Sequence, residues 1–369
     1  MDKNVSFISL IFLLCAVLTF PLNTFSQGKP FLEQWNASGS TLFSLYSPGQ
    51  CLAQSNVASD SASDHKALQL TVVPSVQPGA GKGPEVATKT TYSYGVYSAR
   101  LKSADCTGQP DAGIVTGLFT YFNDGSDKNG NGLPDNNEID FEWLGAEPQS
   151  IYLTMWTDYR DSDEKHNRVS RKINLSTGKI ERCIYGENFD QQIPLTGLEN
   201  QPTQVPALPG YNSATAYYEY GFSWSSNRVT WWIINPADGS KIILWDYQGP
   251  AARISAPPAS YQVNAWHTKT WPPENRPTAI KPPTSPVSAY VDWVRFDTLP
   301  LTDIHFYNSA DYLKMQKSVN HSYSSLLDCL GRRIAFDRGD ICRSSGLYLY
   351  RSGSDEHVTA GKILIQGLH

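Results

Sequence analysis

Apolar and polar residues alternate along most of the chain, in short runs separated by turn residues. Five of these runs have the period of two that a half-buried β-strand gives, at 92–101, 151–156, 220–224, 229–234 and 290–296. Residues 235–239 have the composition of a tight turn between two of them. Because no window shows a long helical period with capping residues, the pattern predicts an all-β fold, a two-sheet antiparallel β-sandwich.

The N-terminal segment has the pattern of a secretory signal. Lys3 precedes an apolar run at 8–22, and small residues stand just before Gln27. The run is too short to span a membrane, and no later stretch reaches transmembrane length. Residues 1–26 are therefore predicted to be a signal peptide. The mature protein is expected to be exported by a bacterium, secreted or cell-surface, without a transmembrane segment.

The domain organisation follows from where the strand pattern continues. Residues 191–216 and the proline-rich residues 272–286 are predicted to be long surface loops, because a strand of the same sandwich follows the second of them. The predicted organisation is a signal peptide at 1–26, a β-sandwich at 27–299 and a small C-terminal β module at 300–369.

The tail carries three short motifs, at 327–334, 345–351 and 361–366. They contain a Gly-Arg turn, a Ser-Gly-x-Tyr-x-x-Arg strand and a final lysine followed by apolar residues. These motifs are similar to the C-terminal sorting domains of bacterial type IX secretion. The resemblance implies secretion or cell-surface machinery as a partner of this module. The alternative is a generic β appendage, since short strand patterns specify little.

Composition narrows the class of function. The 369 residues include 30 Lys+Arg and 35 Asp+Glu, a net charge of −5, and only 18% are charged, whereas 12% are aromatic. This balance is unlike that of a coiled coil, a disordered chain or a nucleic-acid binder, which need charge density or a basic face. We therefore expect no nucleic-acid partner. We also expect the protein to be a monomer.

The cysteines give no metal-binding pattern. After loss of Cys15 with the signal, five remain, and no Cys-x-x-Cys or Cys/His spacing typical of zinc is present. Cys329 and Cys342 flank a predicted hairpin and are the most natural disulfide pair. Pairing among the other three, Cys51, Cys106 and Cys183, stays open.

The most informative segment is the strand at 137–145. Alternate side chains of a strand share a face, so Glu138, Asp140 and Glu142 point one way, and the intervening apolar residues form a core face. Like charges this close raise one another's pKa, which a purely structural strand would not favour. A solvated strand face is the alternative. Hydrolysis of a glycosidic bond needs such a group, one carboxylate to attack the anomeric carbon and one carboxyl to protonate the leaving oxygen.

This segment resembles the ExDxE signature of glycoside hydrolase family sixteen, closest to its lichenase-like and transglycosylase-like branches. Further similarity lies in the strands at 94–102, 113–121, 220–232 and 290–294, and in Asn264-Ala265-Trp266. The resemblance implies a jelly-roll, concanavalin-like sandwich and a retaining mechanism. Carried over by position, Glu138 would be the nucleophile, Asp140 its assistant and Glu142 the acid/base.

The same resemblance implies a set of sugar-contacting residues: Glu85, Phe119, Tyr121, Trp156, Asn264 and Trp266. Two departures put the substrate in doubt. The family's basic residue after the acidic sugar-binding position is Ala87 here, and its aromatic residue before the nucleophile is Asn136. For Glu85 a surface charge, and for each Trp a core position, is the alternative.

A second motif overlaps the first. Asp127, Asn129, Asn131 and Gly132, followed five residues later by Glu138, fit a calcium-loop pattern. Glu138 cannot readily serve both as a metal ligand and as a free nucleophile, and no helices flank the loop. A structural calcium held by Asp127, Asn129, Asn131 and Asp135 is one interpretation, and a polar loop at the cleft rim is the other. No metal or cofactor is expected in catalysis.

The sequence thus predicts an exported retaining endo-β-glucanase acting on β-1,3/1,4-type glucans, with a polysaccharide as its partner. A transglycosylase on a cell-wall β-glycan would use the same carboxylates. A lectin-like carbohydrate-binding module is the third interpretation, although a lectin needs no proton donor beside a nucleophile.

Overall fold

A computed structural model describes residues 28–271 and 277–299, together with the backbone of four strands in the tail. The predicted signal peptide, the predicted pair Cys329–Cys342 and the side chains of the tail motifs lie outside the described residues. Among the described residues, no helix is long and apolar enough to cross a membrane.

Strands and connecting loops make up nearly all of this region, with two short 3-10 helices, Gly197–Glu199 and Ala251–Arg253. The strands are β1 (Phe31–Glu33), β2 (Phe43–Tyr46), β3 (Leu52–Ala58), β4 (Lys66–Val72), β5 (Glu85–Thr88), β6 (Gly95–Lys102), β7 (Ile114–Asn123), β8 (Asp135–Leu144), β9 (Ser150–Arg160), β10 (Lys165–Asn174), β11 (Lys179–Gly186), β12 (Ile193–Pro194), β13 (Tyr218–Ser225), β14 (Arg228–Ile234), β15 (Lys241–Tyr247), β16 (Ser260–His267) and β17 (Val287–Asp297).

These strands form two antiparallel sheets. One has the order β15-β14-β13-β6-β17-β4-β3, with β1 paired to β17. The other has nine strands in the order β12-β11-β10-β9-β8-β7-β16-β5-β2, which puts β8 at its centre. The predicted all-β, two-sheet antiparallel sandwich is confirmed.

The core lies between the sheets and is rich in aromatic rings. Phe141 and Trp143 of β8 stack on each other, and the Trp143 ring lies 4.6 Å from that of Tyr220 on the opposite sheet. The Trp231 indole, also from the opposite sheet, donates a hydrogen bond of 3.0 Å to the backbone carbonyl of Asp140. The apolar face of the acidic strand therefore packs against the opposite sheet, as the alternation of its residues predicts.

The five predicted strands are all present, and four of them are lengthened at one or both ends. The fifth, predicted at 92–101, begins three residues later, at Gly95, and ends one residue later, at Lys102. The loop predicted at 191–216 contains the two-residue strand β12 and the first 3-10 helix. The described part of the other loop, 277–286, contains no strand.

The contacts of the chain separate into two units, Met1–Thr298 and Leu299–His369. In the second unit the described strands are β18 (Ser325–Leu327), β19 (Arg333–Ile334), β20 (Gly346–Ser352) and β21 (Thr359–Ile365), paired antiparallel in the order β19-β18-β20-β21. The domain limits and the sorting function of this unit stay predictions.

Candidate active site

The three acidic residues lie on the middle strand of the nine-stranded sheet, on the face away from the core. Glu138 and Glu142 are half-buried, and Asp140 is 3% exposed. The register from Glu138 to Glu142 is regular against β9, so the three side chains share one face without an intervening bulge. This is the arrangement that the ExDxE spacing predicts.

Cross-strand pairing places the other predicted residues on the same face, because directly opposed residues of antiparallel strands point the same way. Glu138 stands between Tyr121 on β7 and Trp156 on β9. Asp140 stands opposite Phe119. The sheet therefore brings together the predicted acids and three of the predicted aromatic residues.

The row through Glu142 contains the polar candidates. Gly117 of β7 is paired with Glu142 on one side and with Asn264 of β16 on the other, and Asn264 is paired with Glu85 of β5. A Cβ at Gly117 would lie only 2.7 Å from Oδ1 of Asn264, so glycine is required for the amide to lie there. That buried Oδ1 has no hydrogen-bond partner. It is thus placed to accept a hydrogen bond from a ligand.

Trp266, the last predicted contact, lies at one end of this face. It is paired with Val115 of β7 and packs against a small apolar cluster of Val115, Leu144 and Tyr152. Trp266 is half-buried and the Tyr121 side chain is 42% exposed, so both rings keep surface for a ligand. Phe119, at 8% exposed, offers less.

Burial and mutual repulsion raise the pKa values of the three acids. Burial raises the pKa of Glu138 to about 7, against a hydrogen bond from Asn136 that lowers it. Burial and the charge of Glu138 raise the pKa of Glu142 to about 8. The pKa of Asp140 is raised well above its ordinary value, first by burial and then by both glutamates. The three carboxyls therefore hold their protons more tightly than free carboxyls do.

A β-bulge precedes Glu138. Asp135 pairs with Asp158 of β9 and Glu138 with Trp156, so two residues of β8, Asn136 and Asn137, oppose one residue of β9. The Asn136 amide donates a hydrogen bond of 3.3 Å to Oε2 of Glu138. The departure from the family's aromatic residue at 136 thus supplies a neutral donor to the proposed nucleophile.

Sequence reasoning missed the residues beyond Trp156. The guanidinium of Arg168 on β10 lies 5.0 Å from the centre of the Trp156 ring and 5.1 Å from that of Phe189. Lys172, almost fully buried, pairs with Glu147 at 2.9 Å and with Glu181 at 3.0 Å. The alternation of β10 predicts which of its side chains share a face, but sequence alone does not show that β10 follows β9 in the sheet.

The predicted calcium loop is closed by its own side chains. The Asp127 carboxylate accepts hydrogen bonds from the backbone N–H groups of Gly130, Asn131 and Gly132. The amides of Asn129 and Asn131 both donate to Oδ1 of the fully buried Asp158. Oδ1 of Asp135, itself 6% exposed, is buried without a partner. Glu138 points instead with the other two acids.

These oxygens fit a hard cation in type, since calcium prefers carboxylate and amide oxygens. In residues 28–271 and 277–299, however, no three Asp, Glu, His or Cys side chains already converge on one point. A cation would therefore need the two asparagine amides as ligands.

The comparisons with known proteins concern this same region. Residues 49–177 match glycosyl hydrolases family 16. The matched segment contains β8 with all three acids, together with β5, β7, β9 and β10. Four of the six predicted contact residues lie in it: Glu85, Phe119, Tyr121 and Trp156.

The family-16 match agrees with the curated relatives. The chain is 24% identical over 278 residues to a beta-glucanase of Bacillus amyloliquefaciens, covering 73% of this chain and 87% of that protein. It is also 24% identical over 209 residues to a beta-glucanase of Bacillus subtilis, covering 56% of this chain and 59% of that one.

Among solved structures, the Bacillus licheniformis beta-glucanase is similar, with 19% identity, a TM-score of 0.42 and coverage of 74% of this chain and 99% of that one. The apo Crh5 transglycosylase has 14% identity, a TM-score of 0.43 and coverage of 74% and 86%.

Proposed function

We propose that this chain is an exported retaining endo-β-glucanase that cleaves β-1,3/1,4-type glucans by double displacement. The observation that carries the proposal is the central row of Glu138, Asp140 and Glu142 on one sheet face. The family-16 match and the two beta-glucanase relatives support a glycosidase. Linkage, mechanism and export are inferences beyond them.

In the first step, the carboxylate of Glu138 attacks the anomeric carbon and forms an ester bond, while the glycosidic oxygen leaves with the proton of Glu142. In the second step, Glu142 takes a proton from water, the water oxygen bonds to the anomeric carbon, and the ester bond to Glu138 breaks. Two inversions at the anomeric carbon give net retention.

The electrostatics of the row suits these roles. The charge of Glu138 raises the pKa of Glu142, so an ionised Glu138 favours a protonated Glu142. Burial and both glutamates raise the pKa of Asp140, which favours its neutral form, and a neutral Asp140 can donate a hydrogen bond to a neighbouring carboxylate. Retention also requires the two glutamates to reach roughly 5–5.5 Å separation around the sugar.

The test is cleavage of lichenan, laminarin, xyloglucan, chitin and agar by the wild type and by Glu138→Gln. We expect a mixed-linkage glucan to be the best substrate, and Glu138→Gln to lose activity by a factor of thousands while still binding it. A variant as active as the wild type would refute the assignment. Product chromatography separates hydrolysis from transfer, because a transglycosylase makes longer oligomers. Binding without cleavage by the wild type would favour a lectin-like module.

Calcium binding by the loop is a separate proposal. The buried, unpartnered Oδ1 of Asp135 and the carboxylate of Asp127 support it, with Asn129, Asn131 and Asp158 as further oxygen ligands. Calcium added to chelator-treated protein is expected to raise its melting temperature, and Asp135→Asn to lose most of that rise. An unchanged melting temperature in the wild type would favour a purely hydrogen-bonded loop.

Export and sorting are also proposed from sequence. Secretion in a bacterium that has the type IX system should require residues 1–26, and cell-surface retention should require 300–369. Normal surface retention of a chain truncated after 299 would show that the tail is a generic appendage.

A further inference from the structure

Two arginines on the acid-bearing face have no acidic partner. Arg168 on β10 and Arg182 on β11 lie on the same face of their paired strands, and among residues 28–271 and 277–299 neither makes a side-chain hydrogen bond or an ion pair. The Nε atoms of both are buried and unpartnered. Lys172, which is paired with Arg182 across the two strands, is instead satisfied by Glu147 and Glu181.

Arg168 is held by rings. Its guanidinium carbon lies about equally far from the Trp156 and Phe189 ring centres, at 5.0 and 5.1 Å. The Phe189 side chain is 45% exposed, so this aromatic wall also faces solvent. Rings fix the plane of a guanidinium but leave its N–H donors free, and those donors match the oxygens of a carboxylate or sulfate.

The electrostatic environment of Arg168 also favours an anionic ligand. Burial and the charge of Arg182 together lower the pKa of Arg168 to about 10. Glu142 attracts Arg168 but is not within ion-pair distance of it. Two partly buried cations that repel each other and form no ion pair are stabilised by a bound anionic group.

We propose that the β10–β11 half of this cleft binds an anionic group of the polysaccharide, a sulfate ester or a carboxylate, through Arg168 and Arg182. The proposal rests on the proposed function, because it places the group relative to the scissile bond. β10 is two strands from β8, roughly 10 Å in the sheet. The charged group therefore belongs to a neighbouring sugar and not to the one that reacts at Glu138.

The two cations lie on the opposite side of the acids from Ala87. Ala87 on β5 is on the other side of β8, where the family resemblance leads one to expect a basic residue. In this chain the unpaired positive charge lies at β10 and β11 instead. Substrate recognition is thus expected to differ from that of a neutral-glucan enzyme on both sides of the acids.

The test uses substrates with one backbone. Lichenan, partly sulfated lichenan and partly carboxymethylated lichenan are compared by kcat/KM with the wild type, Arg168→Gln and Arg182→Gln. We expect the wild type to prefer an anionic form by about tenfold or more, because charge-assisted hydrogen bonds favour it. Each Arg→Gln variant should lose most of that preference, whereas Arg168→Lys should keep part of it.

Lys179→Gln is the matched control, since Lys179 is an exposed cation on the same strand as Arg182. It removes the same charge and should leave the preference unchanged. Binding to the inactive Glu138→Gln protein gives a readout that does not depend on turnover. Melting temperatures establish that each variant folds. If Arg168→Gln does not fold, Arg168→Lys still tests the site.

The outcomes separate the two proposals. If the wild type cleaves neutral lichenan with the same kcat/KM as both anionic forms, the anion site is refuted and the glucanase assignment stands. The same holds if the Arg→Gln variants keep the preference for an anionic form. If the wild type cleaves none of the three, the glucanase assignment fails. A preference for only one anionic form supports the site and identifies the group as sulfate or carboxylate.

Discussion

Replacing Glu138 by glutamine is expected to make the fold more stable near neutral pH, although it removes the proposed nucleophile. Burial raises the pKa of this carboxyl from its ordinary 4.5 to about 7. A raised pKa means that the folded protein binds the proton more tightly than the unfolded chain. The contribution of Glu138 to stability is therefore most favourable below about pH 4.5 and is lost as the pH rises through about 7. Glutamine has the same shape and never acquires the charge.

The size of the effect follows from the pKa difference. A rise from 4.5 to about 7, at about 1.4 kcal/mol for each pKa unit, corresponds to about 3.5 kcal/mol at full effect. Glu138 is half-buried and keeps contact with solvent. Screening therefore leaves an expected gain of about 1–2 kcal/mol near pH 8, and about zero near pH 4.

The assay is urea unfolding of the wild type and of Glu138→Gln across this pH range, with the change in midpoint converted to free energy. Asp60→Asn is the control, because Asp60 is an exposed carboxylate far along the chain from the acidic strand. An equal or lower stability of Glu138→Gln near pH 8 would refute the reasoning. A gain that is the same at both ends of the pH range would also refute it, since it would have a cause other than the charge.

Three further predictions follow from the site. Asn136→Ala removes the amide that lowers the pKa of Glu138, so the acidic limb of the pH profile of kcat/KM should move to higher pH. An unchanged profile would show that Asn136 does not influence Glu138. Lys172→Met leaves the buried Glu147 without its cation and should destabilise the fold by about 3–5 kcal/mol in urea unfolding. Adding Glu147→Leu should restore part of this stability, and no recovery in the double variant would argue against the pair. Trp156→Ala should raise KM for oligosaccharides much more than it lowers kcat, and an unchanged KM would place this ring outside the binding site.

The strand that carries the acids was predictable because one local rule decides it. Alternation alone puts Glu138, Asp140 and Glu142 on one face and Phe141 and Trp143 on the other, whatever the rest of the fold does. The adjacent strands were predictable for the same reason, since each buries one face.

The environment of the acids was not predictable in this way. Trp156 lies beside Glu138 because β9 follows β8 in the sheet, but Asn264 lies beside Gly117 because β16 returns from far along the chain to pair with β7. Sequence distance gives no measure of such pairing. Only the resemblance to a known family indicated it in advance.

The β-bulge in β8 is a second feature that the sequence pattern did not predict. Strict alternation puts Asp135 on the face opposite Glu138, yet the extra residue in β8 places Asp135 across from Asp158, in line with Glu138 and Trp156. The bulge depends on the partner strand as much as on residues 135–138. The hydrogen bond from Asn136 to Glu138 therefore became visible only in the folded chain.

By itself, the sequence determined the all-β class, the acidic strand and the face that its carboxyls share, because these depend on the two-residue period of a strand. The tertiary structure decided what surrounds that face: the central place of β8, the burial that raises the pKa values of Glu138 and Glu142, and the unpaired guanidinium of Arg168. Each of these depends on which strands become neighbours and on how much water they exclude, and those are properties of the assembled sheets.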